Sequence, residues 1–151
     1  MFNFFRQPSF LSASEQEKIV DAIREAERRT SGEIRVFIES RCRFVDPMDR
    51  AAEIFWTLKM DQTRERNGVL IYVAVKDHQM AILGDQGIHE KVGTAFWKEE
   101  IAKMRTHFQS EHYMDALVLA IEDVGHALDD FFPYDNKGDK NELPDEIVFG
   151  R

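Results

Sequence analysis

The run Val69-Leu70-Ile71-Tyr72-Val73-Ala74-Val75 leaves this chain few choices of fold. It is continuously apolar, rich in β-branched side chains and bounded by Asn67-Gly68 and Lys76-Asp77-His78, which together read as a strand buried on both faces. Such a strand belongs in the middle of a sheet and needs helices on both sides to cover it. It falls far short of the roughly 18 apolar residues that a membrane-spanning helix requires, and no other window comes closer, so no transmembrane segment is expected.

The neighbouring segments supply the remaining layers. Ser12-Ala13-Ser14-Glu15 is a capping box, and Ile19, Ile23 and Ala26 follow it at helical spacing until Thr30-Ser31-Gly32 ends the helix. Glu33 to Glu39 then alternates as a strand, with Ile34, Val36 and Ile38 on one face and Arg35 and Phe37 on the other. Asp46-Pro47 opens a second helix along Ala51, Ile54, Phe55 and Leu58. The central strand turns tightly at Lys76-Asp77-His78 into Met80-Ala81-Ile82-Leu83, which predicts an antiparallel hairpin. After Gly84-Asp85-Gln86-Gly87, Ile88 to Val92 reads as one helical turn. Two longer helices follow, one along Trp97, Ile101, Met104 and Phe108, the other along Leu117, Ile121, Val124, Leu128 and Phe131, up to Pro133. The order α-β-α-β-β-α-α predicts a three-layer α/β/α sandwich around a small mixed sheet. Its first two strands are parallel through a right-handed crossover.

At 151 residues the chain fits one domain. The reading places an N-terminal extension at residues 1–10, the domain at 11–132 and a polar tail at 133–151, with Ile147-Val148-Phe149 as a short edge segment. Lys and Arg number 20 against 28 Asp and Glu, for a net charge of −8. Bases are interspersed with acids, and the densest spots, Arg41-Cys42-Arg43 and Arg64-Glu65-Arg66, are too short to track a phosphodiester backbone, so nucleic acid is not an expected partner. Cys42 stands alone, which leaves no internal disulfide and no thiolate metal cluster. The start Met1-Phe2-Asn3-Phe4-Phe5-Arg6 lacks the basic entry and apolar core of a secretory signal, so a cytoplasmic monomer is expected.

Strand polarity supplies the functional clue. With the first two strands parallel and the third reversed, Thr30-Ser31-Gly32-Glu33, Asn67-Gly68 and Gly84-Asp85-Gln86-Gly87 meet at one end of the sheet. Three readings stand for that border. Its glycines are turn formers and its acid caps a backbone N–H. Or its carboxylates and carbonyls bind a hard cation such as Ca²⁺, which takes six to eight oxygens. Or the glycines cradle a phosphate, although no Walker lysine follows and Asp85 would repel one. On the cation reading the metal ligands are Glu33 and Asp85, with Glu90 and Asp115 peripheral. His89 is read as exposed. No nucleophile elbow, HExxH or dinucleotide fingerprint is present, and no organic cofactor is expected.

The segments Thr30-Ser31-Gly32-Glu33-Ile34-Arg35-Val36, Asn67-Gly68-Val69-Leu70-Ile71 and Ile82-Leu83-Gly84-Asp85-Gln86-Gly87-Ile88 together resemble the TPM domain family. Phe108 with His112-Tyr113-Met114-Asp115-Ala116-Leu117 is similar to that family's entry into its last helix. The resemblance implies the same α/β/α sandwich. It also implies roles seen across the family: photosystem II repair and acid phosphatase activity in a plant branch, a receptor accessory in an animal branch, and calcium binding in acidic loops of some members. Many relatives carry a signal peptide, a transmembrane helix and a G-x-G pattern after the third strand. Neither a signal peptide nor a transmembrane helix is expected here, and Gly84-Asp85-Gln86-Gly87 stands where the G-x-G pattern would be. Two functions are therefore expected. The first is a non-enzymatic module binding Ca²⁺, or Mg²⁺ as the alternative, and presenting a surface to an unidentified protein partner. The second is a metal-assisted acid phosphatase of modest activity, acting on phosphomonoesters.

Overall fold

The computed structural model describes residues 10–134 and 144–150. Helix α1 (Ala13–Glu27) begins at the capping box, where the Ser12 N–H donates to Glu15 Oε1 at 2.8 Å and the Glu15 N–H to Ser12 Oγ at 3.1 Å. Strand β1 (Glu33–Glu39) and helix α2 (Pro47–Thr57) follow, the latter capped by Asp46, whose carboxylate accepts the Met48 N–H at 2.9 Å. A 3₁₀ turn (Met60–Gln62) leads to β2 (Gly68–Ala74) and β3 (Gln79–Gly84). Then come α3 (Gln86–Val92), α4 (Thr94–Gln109), α5 (Tyr113–Phe131) and the short β4 (Val148–Phe149). Where one helical turn was expected, α3 is nearly two turns long, because the Asp85 cap starts it at Gln86, two residues before the apolar pattern begins.

The sheet has the order β3-β2-β1-β4. β1 and β2 run parallel with Glu33 opposite Gly68 and Glu39 opposite Ala74, while β2 and β3 are antiparallel with Val69 opposite Gly84. β4 pairs parallel to β1 at Phe37 and Ile38. The apolar tail end thus joins the sheet, although its acidic surroundings gave no hint of which strand it would meet.

The pleat divides the core into two. Ile34, Val36, Ile38, Val69, Ile71 and Val73 face α1, α3, α4 and α5. Phe37, Leu70, Tyr72 and Ala74 face α2 with Ala51, Ile54, Phe55 and Met60. α2 is also pinned by charge: Arg50 donates to both oxygens of Glu39, at 2.9 and 2.8 Å, and its guanidinium lies 5.6 Å from the Phe37 ring centre. The Tyr72 hydroxyl donates to the same carboxylate, so this buried acid has donors from both layers.

Gly84 shows how tightly β3 meets α4. A methyl group there would stand 2.3 Å from Trp97 Cζ2, and the indole has little room to retreat, because its N–H donates to His89 Nδ1 at 3.0 Å. Gly84→Ala is expected to cost about 1–3 kcal/mol, the usual range for overpacking, and to shift Trp97 fluorescence. Urea unfolding followed by tryptophan fluorescence checks this; an unchanged midpoint would show that the ring moves freely.

Candidate functional site

The border is assembled by backbone pairing before any side chain acts. The Glu33 N–H donates to the Asn67 carbonyl at 3.4 Å, and the Asp85 N–H to the Gly68 carbonyl at 2.9 Å. Glu33, Gly68 and Asp85 therefore occupy one row across three strands, and the outer two lie about 10 Å apart at two strand spacings. Gly68 contributes no side chain to this row, and the Met60 carbonyl lies over it. Both carboxylate residues are buried, at 2 % and 6 % exposure.

Asp85 is held on two sides. Arg66, in the left-handed region at φ 53°, donates through Nε to Oδ2 at 2.6 Å and through Nη2 to Oδ1 at 2.8 Å. This two-pronged pairing is the geometry in which arginine matches a carboxylate best, and it raises the arginine further above its ordinary value. Oδ1 also accepts the Gln86 N–H at 2.8 Å, which starts α3. Gly87 makes the closeness possible: a Cβ there would lie 2.2 Å from the Glu65 carbonyl and 2.6 Å from that of Arg66. Its own N–H donates to the Arg66 carbonyl at 2.8 Å.

A second polar group lies beside this row. Asn67 is fully buried; its Nδ2 donates to Ser31 Oγ at 3.1 Å, and Ser31 Oγ in turn donates to Glu65 Oε2 at 3.0 Å. Asn67 Oδ1 accepts nothing, and a buried acceptor left without a donor is costly. Thr30 ties the same loop to the end of α5, where its hydroxyl hydrogen-bonds the Leu128 and Phe132 carbonyls, and its Oγ1 accepts the Gly32 N–H at 3.0 Å.

Sequence reasoning missed Glu27. It lies in the last turn of α1, where a negative charge opposes the helix dipole. That misplacement was the only signal available. The fold uses the residue across the loop: Glu27 Oε2 accepts the Ile34 N–H at 2.7 Å. Burial above all, then Asp145 and Glu33 nearby, push the Glu27 carboxyl up to about 10 from an ordinary 4.5, so it keeps its proton at neutral pH. Beside it Arg35 is buried, which lowers its pKa, while Glu146, Glu27 and Asp145 pull the other way.

Of the four expected ligands, two share the border and the other two lie elsewhere, each in its own place. Glu33 and Asp85 share the border. Glu90 is exposed on α3. Asp115 starts α5, whose other end meets Thr30 at Leu128. Thirteen residues of continuous helix, about 20 Å, keep Asp115 from the border, where it lies instead among Lys18, Asp21 and Ala22 of α1. It could have reached the border only if the loop before α5 had folded that way. Among the described residues, no three His, Cys, Asp or Glu side chains come close enough to hold one ion. Any cation at the border would therefore draw on amide, hydroxyl and backbone oxygens as well as carboxylates.

The three-layer sandwich with a parallel pair and a reversed third strand is the architecture of a known class. The chain belongs to the TPM domain family, whose model matches residues 5–127. It is similar to the BA42 protein of the psychrophilic bacterium Bizionia argentinensis, with 43% identity over 99% of this chain and 100% of that one, and a TM-score of 0.86. The N-terminal domain of the cg2496 protein of Corynebacterium glutamicum (16% identity, 85% and 84% of the two chains, TM-score 0.63) shows the same fold. So does the N-terminal domain of a protein from P. gingivalis (19% identity, 80% and 78%, TM-score 0.61). No curated protein matches. Among the described residues, no helix is long and apolar enough to cross a membrane.

The protonated Glu27 makes stability depend on pH in a defined direction. The folded state keeps a proton that the unfolded chain loses near pH 4.5, so stability falls as pH rises from about 5 towards 10. Glu27→Gln retains an oxygen for the Ile34 N–H and has no proton to lose. The variant is expected to gain about 1–3 kcal/mol over the natural protein between pH 5 and pH 8. Urea midpoints at the two pH values check this, and parallel pH profiles would remove the effect.

Proposed function

We propose that this protein is a non-enzymatic binding module. It takes up a divalent cation, Ca²⁺ or alternatively Mg²⁺, at the border formed by Glu33, Asn67-Gly68 and Asp85, and it presents a surface to a protein partner. The observation that carries this reading is Asn67 Oδ1, a fully buried oxygen with no donor, beside the Ser31 hydroxyl and Glu65. A hard cation satisfies such an acceptor, and neutral amide oxygens are ordinary Ca²⁺ ligands. Glu33 and Asp85 supply the negative charge that favours a cation at this end.

On this reading Arg66 is a built-in competitor. Its guanidinium neutralises Asp85 when no metal is present, and it extends to solvent, with about a third of its side chain exposed, so it can swing away. Metal uptake exchanges one positive partner of Asp85 for another.

Millimolar Ca²⁺ is expected to raise the melting temperature, since a ligand binding only the folded state stabilises it by mass action. Backbone amides of residues 31–33, 65–68 and 84–86 should shift together in an NMR titration. Arg66→Gln should bind Ca²⁺ several-fold more tightly, and Asp85→Asn should bind it more weakly. If neither ion changes the melting temperature or these amides, the border is structural only.

A further inference from the structure

We infer that the ring-lined cavity at the hairpin end of the sheet is a binding site for a small aromatic carboxylate. It lies apart from the border: β2 runs from Gly68 at the border to Ala74 beside the cavity, about 20 Å at the rise of a strand. The inference goes beyond the cation reading and stands without it.

Two tight reversals of the chain frame this cavity. One is the β2–β3 hairpin turn, with His78 at φ 53°; the other is the link from α4 to α5, with Glu111 at φ 62°. Between them lies a space of about 510 Å³, within the usual range of small-molecule sites. Phe10, Val75, Phe108 and Tyr113, all half-buried, form its apolar wall. The three rings are packed as a set. Phe108 meets Tyr113 edge-on at 5.2 Å, and Phe10 lies 4.5 Å from Tyr113 with the planes 35° apart. A planar ring extends such a set by stacking or edge contact, a gain that an alkyl chain does not make.

The polar groups on this wall are donors without an acceptor. Arg105 lies three and four residues before Phe108 and Gln109, so the three share one face of α4. Among the described residues its guanidinium makes no ion pair or hydrogen bond, and the Tyr113 hydroxyl makes no hydrogen bond. In a chain of net charge −8, an arginine left unmatched beside an apolar cavity marks where an anion belongs. Asp77 of the hairpin turn is engaged elsewhere, accepting from Arg41 and from the Cys42 N–H, both at 2.7 Å.

Charge then narrows the ligand. A carboxylate accepts two parallel N–H bonds from a guanidinium, and the Tyr113 hydroxyl offers a third donor. Glu111 is the one acid among the described residues lining the cavity, and it repels any further negative charge. A single carboxylate is matched here, whereas a phosphate dianion is not. A neutral amide of the same shape forgoes the charge pairing, and an amine brings a second cation against Arg105.

The test uses the full ¹⁵N-labelled chain in EDTA, so that cation uptake plays no part in the result and a failure here leaves the border reading untouched. The probe is naphthylacetate, with naphthylacetamide and naphthylethylamine as controls of the same shape. Saturable shifts at the amides of Val75, His78, Gln79, Phe108 and Tyr113 are expected with the acid, at a dissociation constant of about 1 mM or below, as its size permits. The amide should bind several-fold more weakly and the amine more weakly still. Arg105→Gln should weaken the acid about tenfold and abolish its advantage over the amide, and Tyr113→Phe should weaken it about threefold. If either variant does not fold, the comparison of acid with amide on the natural protein decides. The proposal is overturned by equal binding of acid and amide, by no saturable shift up to about 10 mM acid, or by shifts confined to other surfaces. It is equally overturned if a folded Arg105→Gln binds the acid unchanged, or if NOEs show the cavity filled by the protein's own chain ends.

Discussion

Everything at the border end of this molecule depends on the parallel pairing of β1 with β2. That register, Glu33 opposite Gly68, is kept in place by burial on both faces rather than by any feature of the border itself. A slip of one residue would turn Ile34, Val36 and Ile38 towards α2 and bring Arg35 and Glu39 into the apolar layer under α1 and α5. The hydrophobic core therefore decides which polar groups meet at the end of the sheet. Arg66, Asp85 and Asn67 then settle how those groups are satisfied.

Much of this was legible in the residues. The β-branched run fixed a central strand, the tight link after Val75 reversed the next one, and Ser12 with Glu15 marked a helix start that the structure reproduces bond for bond. From those alone, three distant segments were expected at one end, and they are there. The partners of each polar group were not legible. Arg66 reaches Asp85 only because its backbone is left-handed and Gly87 leaves room for two carbonyls, and neither fact is written in a hydrophobic pattern. Glu27 acquires its role from a loop short enough to return the chain beside its own helix. Asp115 failed to join the border for the converse reason, since a rigid helix of that length separates its two ends by a fixed distance.

Asp85 meets two neighbours at once. It caps α3, as an acid beside a turn commonly does, and it also carries one of the two buried negative charges of the border row. An arginine that leans in from solvent pairs with the same carboxylate that caps the helix. The cap needs a single oxygen, and the remaining lone pairs stay available to a positive partner.

Among the described residues the sandwich is lopsided, with four α-helices on one face of the sheet and α2 with the short 3₁₀ turn on the other. Regions of unequal packing detach at unequal free energies, so a domain of this shape has a weaker side. The α2 layer, fastened chiefly by Arg50 on Glu39 and a modest apolar stripe, is the side that opens first. Amide protons of Ala51, Ile54 and Phe55 will thus trade with solvent deuterium sooner than those of Ile121 and Val124, in the thicker half.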